Sequence, residues 1–264
     1  MVVPENVELL HDVVIGTGGG RPLHAEVARP KSAPAQPMPA VIIVHGGGWS
    51  EGSHKDSRLY LFLASKGYFA ASVEYRLTGE AKWPAQIEDC KLAVRWLRAN
   101  AAKYNVDPNR IASIGGSAGG HLAVCLGVMG DESRFEGEGG YPGVSSKVQA
   151  VVDTNGPTDF IHDFRDVPHL LGTTLAEKSE LYKAASPITY VRAGLPPFLV
   201  LHGDQDHTVP FAQSSTFVEA LQKAGVTVKF VVMKGAGHDL TATPADKEKL
   251  WNETLSWLNE QFKK

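Results

Sequence analysis

Gly115-Gly116-Ser117-Ala118-Gly119 sets a serine among glycines, directly after the apolar run "IASI" and before the helical stretch "AGGHLAVCLGV". A sharp strand-to-helix turn of this kind strains the serine backbone and exposes its oxygen, while the flanking glycines let chain segments approach closely. The chemistry it suggests is nucleophilic attack on a carbonyl. Alone the pattern is weak, arising by chance in about one chain in ten of this length, so its partners decide.

A serine hydroxyl is a poor nucleophile until a base takes its proton. Of ten histidines, His238 in "GAGHDL" follows the last expected strand and precedes the last helix. That is where the chain order Ser…Asp…His puts the base, and Gly235 and Gly237 give its loop freedom to reach Ser117. The acid that orients the base is expected in "LHGDQDHTVP". Asp206 lies beyond the tight "HGD" turn and is the choice; Asp204 reads as a turn residue bonding nearby backbone N–H groups. Asp239 is weaker, because neighbours in a loop seldom present facing side chains.

Attack on a carbonyl makes an oxyanion, which needs preorganised N–H donors. The stretch "HGGGWSEG", His45 to Gly52, leaves the apolar run "AVIIV" through three consecutive glycines. Gly47 and Gly48 are the expected donors, joined by the N–H of Ala118, the residue after the nucleophile. His45 reads as a brace of this loop rather than a base.

These groups need strand ends to hold them. "ELLHDVVIG" and "RPLHAEVARP" read as an antiparallel pair, with Leu23, Ala25 and Val27 alternating toward a covered face. "AVIIVH", "FAASVEY", "IASIGG", "VQAVVDTNG", "PPFLVLHG" and "TVKFVVM" follow, separated by helical stretches. "PAQIEDCKLAVRWLRANAAKY" is expected as one helix with Pro84 in its first turn. The last helix opens with Thr243 and Asp246 as a capping box and Pro244 at its first position. About eight strands alternating with helices make an α/β sandwich on a mainly parallel sheet, helices on both faces, in one domain over 1–264. In such sheets reactive groups sit at the carboxyl ends of the strands.

Composition narrows the partners. A chain of 264 residues with 43% apolar residues and a net charge of −3 has a sizeable core and no basic stripe, which argues against nucleic acid. No run approaches the roughly 18 apolar residues of a membrane span. "MVVPENVELL" shows no signal peptide, so the chain reads as soluble and cytoplasmic as it stands, or secreted if a leader has been removed. Cys90 and Cys125 are too few for a disulfide framework and read as free thiols on helices. Oligomeric state stays open, a homodimer included.

"HGGGW", "VEYRL", "WPAQIEDCKLAVRWLRANAAKYNVDPNRI", "GGSAGGHLA", "HGDQDHTVP" and "GAGH" together resemble the α/β-hydrolase esterases of the hormone-sensitive-lipase-like group. Within it the sequence is most similar to the bifunctional feruloyl/acetylxylan esterase-like (BD-FAE) branch, from about Pro39 to the C-terminus. The resemblance implies a serine ester hydrolase with Ser117, Asp206 and His238 as triad and no metal or cofactor. The substrate would be a small-molecule or carbohydrate-linked ester. Many relatives carry a long N-terminal cap; here the expected lid is the insert at about 156–190, which argues against long-chain lipids. Trp49, Tyr75 and Trp83 near strand ends, with Asp159, Phe160 and Leu170 from the lid, are candidates for the pocket wall or for ordinary packing. Arg76 and Asp89 read as a structural pair. Competing readings are an amide or formamide hydrolase of the kynurenine-formamidase type and a non-catalytic interaction protein on the same fold.

Overall fold

The computed structural model describes residues 3–32, 34–162, 164–165 and 167–263. Its elements run β1 (Val7–Gly18), β2 (Arg21–Pro30), β3 (Met38–Val44), α1 (Leu59–Ser65), β4 (Phe69–Val73), α2 (Ala85–Ala99), α3 (Ala101–Tyr104), β5 (Val106–Gly116) and α4 (Ala118–Val128). They continue with β6 (Ala150–Thr154), α5 (Pro168–Leu171), α6 (Ser179–Ala185), β7 (Phe198–Gly203), α7 (Ala212–Lys223), β8 (Val228–Met233) and α8 (Pro244–Phe262). The strands form one eight-stranded sheet in the order β1-β2-β4-β3-β5-β6-β7-β8. β1 and β2 join antiparallel at one edge, and the six strands from β4 to β8 pair in parallel.

The continuous apolar strands are explained by burial on both faces. In β3, Ala40, Ile42 and Val44 enter the cluster under α2, α4 and α7, while Val41 and Ile43 enter the cluster under α1 and α8. Each such buried valine or isoleucine stabilises the fold by roughly 1.5–3 kcal/mol relative to exposure. Leu23, Ala25 and Val27 of β2 are fully buried on one face, as their alternation requires.

Two boundaries differ from expectation. The long helix ends at Asn100 and restarts as the short α3, with Asn100 Nδ2 returning to the Trp96 carbonyl at 2.8 Å. An asparagine side chain that competes for backbone acceptors favours such a break. Pro84 is the N-cap of α2 rather than a residue of its first turn. α8 begins as expected: Thr243 Oγ1 accepts the Asp246 N–H at 3.1 Å and Pro244 opens the helix.

β3 and β5 are neighbours, yet the chain leaves β3 toward β4 on one side and leaves β5 toward β6 on the other. A crevice opens where strand order reverses in this way. The loops after β3 and β5, carrying "HGGGW" and Ser117, meet there.

Candidate active site

Ser117 connects β5 to α4 with φ 55 and ψ −125, a strained conformation for a residue with a side chain. Its own N–H donates to the Thr154 carbonyl at 2.9 Å, which pins the turn to β6. The turn closes so tightly that a Cβ on Gly115 would lie 2.0 Å from the Gly119 carbonyl oxygen. The Ser117 oxygen is thereby set at the N-terminus of α4, where helix N–H groups and the helix dipole favour negative charge.

His238 Nε2 lies 2.9 Å from Ser117 Oγ, and His238 Nδ1 lies 2.7 Å from Asp206 Oδ2. The three residues come from the loops after β5, β7 and β8, so the sheet alone brings them together. Asp206 is buried, and its other oxygen, Oδ1, accepts the N–H groups of Thr208 at 2.8 Å and Val209 at 3.0 Å. Burial pushes this carboxyl up, but the His238 bond and the two backbone donors outweigh it and hold it below the usual carboxylate range. The fully buried His202 stands behind it, with Nε2 3.0 Å from the Val209 carbonyl and 3.3 Å from Asp206 Oδ2. Asp204 accepts the Gly235 N–H at 2.7 Å and Asp239 the Thr241 N–H at 2.8 Å. Both are turn residues here.

After β3 the chain turns through Gly47, Gly48 and Trp49, all with positive φ (102°, 56° and 61°). The Gly47 carbonyl accepts the N–H groups of Ser50 and Glu51, each at 3.0 Å, and a Cβ on Gly47 would fall 2.2 Å from the Glu51 carbonyl oxygen. The N–H groups of Gly47, Gly48 and Ala118 have no acceptor among the described residues. His45 braces the turn: its ring stacks on Tyr75 at 4.3 Å and its Nδ1 meets the Gly46 carbonyl at 2.8 Å. Arg76 and Asp89 pair beneath it, Nε to Oδ2 at 2.8 Å.

Of the six candidate pocket residues, five are packed into the core and the sixth, Asp159, stands outside it. Trp49, Tyr75, Trp83, Phe160 and Leu170 expose 5% or less and belong to the core cluster on the α4 face. Asp159 uses its carboxylate on the Ile161 N–H at 2.8 Å and His162 Nδ1 at 2.9 Å. At the centre of the packed layer is His121, buried on α4 and absent from the candidates. Trp49 Nε1 donates to its Nδ1 at 3.2 Å, and its Nε2 faces the Ala185 carbonyl at 2.9 Å. With one nitrogen accepting and the other donating, the ring is neutral, and burial lowers its pKa to about 4.

The insert between β6 and β7 is tied to the same turn. His169 Nε2 meets the Gly48 carbonyl at 3.1 Å, and the backbone N–H of Trp83 donates to the Leu170 carbonyl at 3.0 Å. Part of the expected lid, Asp163 and Asp166, lies outside the described residues. Cys90 and Cys125 are free, buried thiols.

Among the residues not foreseen, Asn155 directly adjoins the Asp206–His238 pair. Its Nδ2 lies 2.6 Å from the His238 carbonyl and 3.3 Å from Asp206 Oδ2. "TNG" after a strand reads as a turn, which hid this role.

Residues 26–221 match the BD-FAE family. Esterase LipQ of Mycobacterium tuberculosis is 35% identical over 246 residues, covering 88% of this chain and 58% of that relative. The chain thus spans little more than half the length of that curated relative. A truncated carbohydrate esterase from gut microbiota superposes with a TM-score of 0.88 at 30% identity, covering 97% of both chains. Est2, an esterase of the planctomycete Thermogutta terrifontis, gives 0.82 at 30% identity over 97% of this chain and 92% of its own. Est2 has also been solved with butyrate bound and phosphorylated by paraoxon. With an eight-stranded, mostly parallel sheet and these relatives, the chain belongs to the BD-FAE branch of the α/β-hydrolase esterases.

Proposed function

We propose that this chain is a serine carboxylesterase acting on short-chain acyl or aryl esters, acetyl esters of carbohydrates among them. The observation that carries the reading is the unbroken line from Ser117 Oγ through His238 to Asp206, at 2.9 and 2.7 Å, on a strained turn. Ser117 attacks the ester carbonyl carbon as His238 takes its proton, and the oxygen becomes an oxyanion facing the N–H groups of Gly47, Gly48 and Ala118. Collapse expels the alkoxide, which leaves with the proton from His238. Water, deprotonated by the same ring, then attacks the acyl-enzyme and releases the acid. Asp206 stabilises the imidazolium and fixes its tautomer throughout.

The preference for short acyl groups is supported by the insert. Phe160, Val167, Leu170 and Leu171 are buried in the core, so these apolar side chains are not free to line a trough for a long chain. The butyrate held by Est2 and the carbohydrate-esterase neighbour point the same way. Hydrolysis rates across p-nitrophenyl esters from acetate to palmitate, with methyl ferulate and acetylated xylan alongside, test this reading. Acetate to butyrate should be fastest. A maximum at long chains, or faster turnover of N-formylkynurenine than of p-nitrophenyl acetate, would overturn it.

A further inference from the structure

We infer that Asn155 is a positioning residue that locks the base loop onto the acid, an inference that rests on the triad reading above. Three observations converge on it. Asn155 is 3% exposed, it stands at the end of β6 between the loops after β7 and β8, and its backbone N–H donates to the Leu201 carbonyl of β7 at 2.9 Å. Its φ of 49° is left-handed, a conformation that asparagine tolerates better than most residues with side chains.

The amide has two hydrogens and three acceptors in reach: the His238 carbonyl at 2.6 Å, His238 Nδ1 at 2.9 Å and Asp206 Oδ2 at 3.3 Å. When His238 holds its proton on Nδ1 and donates it to Asp206, Nδ1 has no lone pair to offer. The amide hydrogens then go to the His238 carbonyl and to the Asp206 carboxylate, binding the base's own backbone to the acid's side chain. In the other tautomer Nδ1 would accept from Asn155 and give up Asp206. The charged carboxylate at 2.7 Å outcompetes the neutral amide, so the productive tautomer prevails. An aspartate of the same shape could not do this, because an ionised carboxylate donates nothing. The ionisable groups facing this point are Asp206 and His238, with His202 beyond Asp206.

Steady-state kinetics of the full chain on p-nitrophenyl acetate, from pH 5 to 9, test the assignment. Asn155→Gly removes the amide and suits the left-handed backbone. Its kcat should fall about 10- to 100-fold with KM within about threefold, the signature of a misaligned base rather than lost binding. Asn155→Asp keeps the shape but adds a negative charge beside the imidazolium. The acid limb of its kcat/KM profile should move up by about one pH unit. Wild-type kcat in Asn155→Gly, or an unmoved acid limb in Asn155→Asp, would overturn the inference. Should Asn155→Gly fail to fold, the Asn155→Asp profile decides alone. If the wild type is active and Ser117→Ala is not, either of those overturning results sinks the Asn155 assignment and leaves the triad standing; activity surviving in Ser117→Ala sinks the triad itself.

Discussion

Trp49 Nε1 donates to His121 Nδ1 at 3.2 Å, joining the turn after β3 to the helix that follows Ser117. The two loops of the crevice are thus coupled through a buried ring, and the same ring reaches the insert at the Ala185 carbonyl. Trp49→Phe keeps most of the packing but leaves a buried acceptor unmet, at a cost of about 1–3 kcal/mol. The melting temperature should fall by several degrees and kcat more than KM, because the loosened turn carries Gly47 and Gly48. Thermal melts and steady-state kinetics of the purified variant check this.

His121 also sets an acid limit on stability. Its pKa drops from the ordinary 6.5 to about 4 because burial disfavours the charged ring. The neutral ring's contribution is complete above pH 6.5 and is lost as pH falls through about 4, a swing of roughly 3 kcal/mol. His121→Gln retains one donor and one acceptor without a titrating group, so its stability should vary less between pH 6.5 and 4. Denaturant titrations at a series of pH values measure the difference.

Asp153 works in the opposite direction. It is fully buried on β6, its Oδ1 accepts the Gly156 N–H at 2.9 Å, and Oδ2 has no partner among the described residues. Burial, only partly opposed by that N–H, pushes its pKa up to about 8. The folded state therefore holds a proton that the unfolded chain releases near 3.8, and stability declines as pH rises from there to about 8. Asp153→Asn removes this ionisation cost. It should raise stability by up to about 5 kcal/mol at pH 8 and by less at pH 5, read from melts at the two values.

The juxtaposition of Ser117, Asp206 and His238 beside the "HGGGW" turn was legible because glycines and strand ends fix it: "GGSAGG", "HGGGW", "HGDQD" and "GAGH" each close a strand, and parallel strands deliver their ends to one edge. The pocket candidates were harder to place. Trp49, Trp83 and Phe160 sit near the right strand ends, but whether an aromatic side chain faces a crevice or a core depends on distant partners such as His121, 72 positions from Trp49. Asn155 was hidden for the same reason, since its partners at 206 and 238 lie far along the chain. The break at Asn100 turns on one side-chain hydrogen bond that helical periodicity does not register.

Gly47 gives a test of the oxyanion role proposed for the turn after β3. A methyl group there would collide with the Glu51 carbonyl oxygen in a backbone of φ 102° that alanine avoids. Gly47→Ala should therefore shift the turn and lower kcat by about 10²–10³-fold, the effect of losing one oxyanion donor. Circular dichroism should remain that of the wild type, since the strand beneath is untouched.

The reactivity of Ser117 itself is the most direct test. Incubation with paraoxon followed by intact-mass and peptide mass spectrometry should give one diethylphosphoryl group per chain, on the Ser117 peptide, with parallel loss of esterase activity. Ser117→Ala should take up none. An unlabelled, fully active wild-type protein, or an adduct on another residue that tracks the loss of activity, would contradict the assignment of Ser117 as nucleophile.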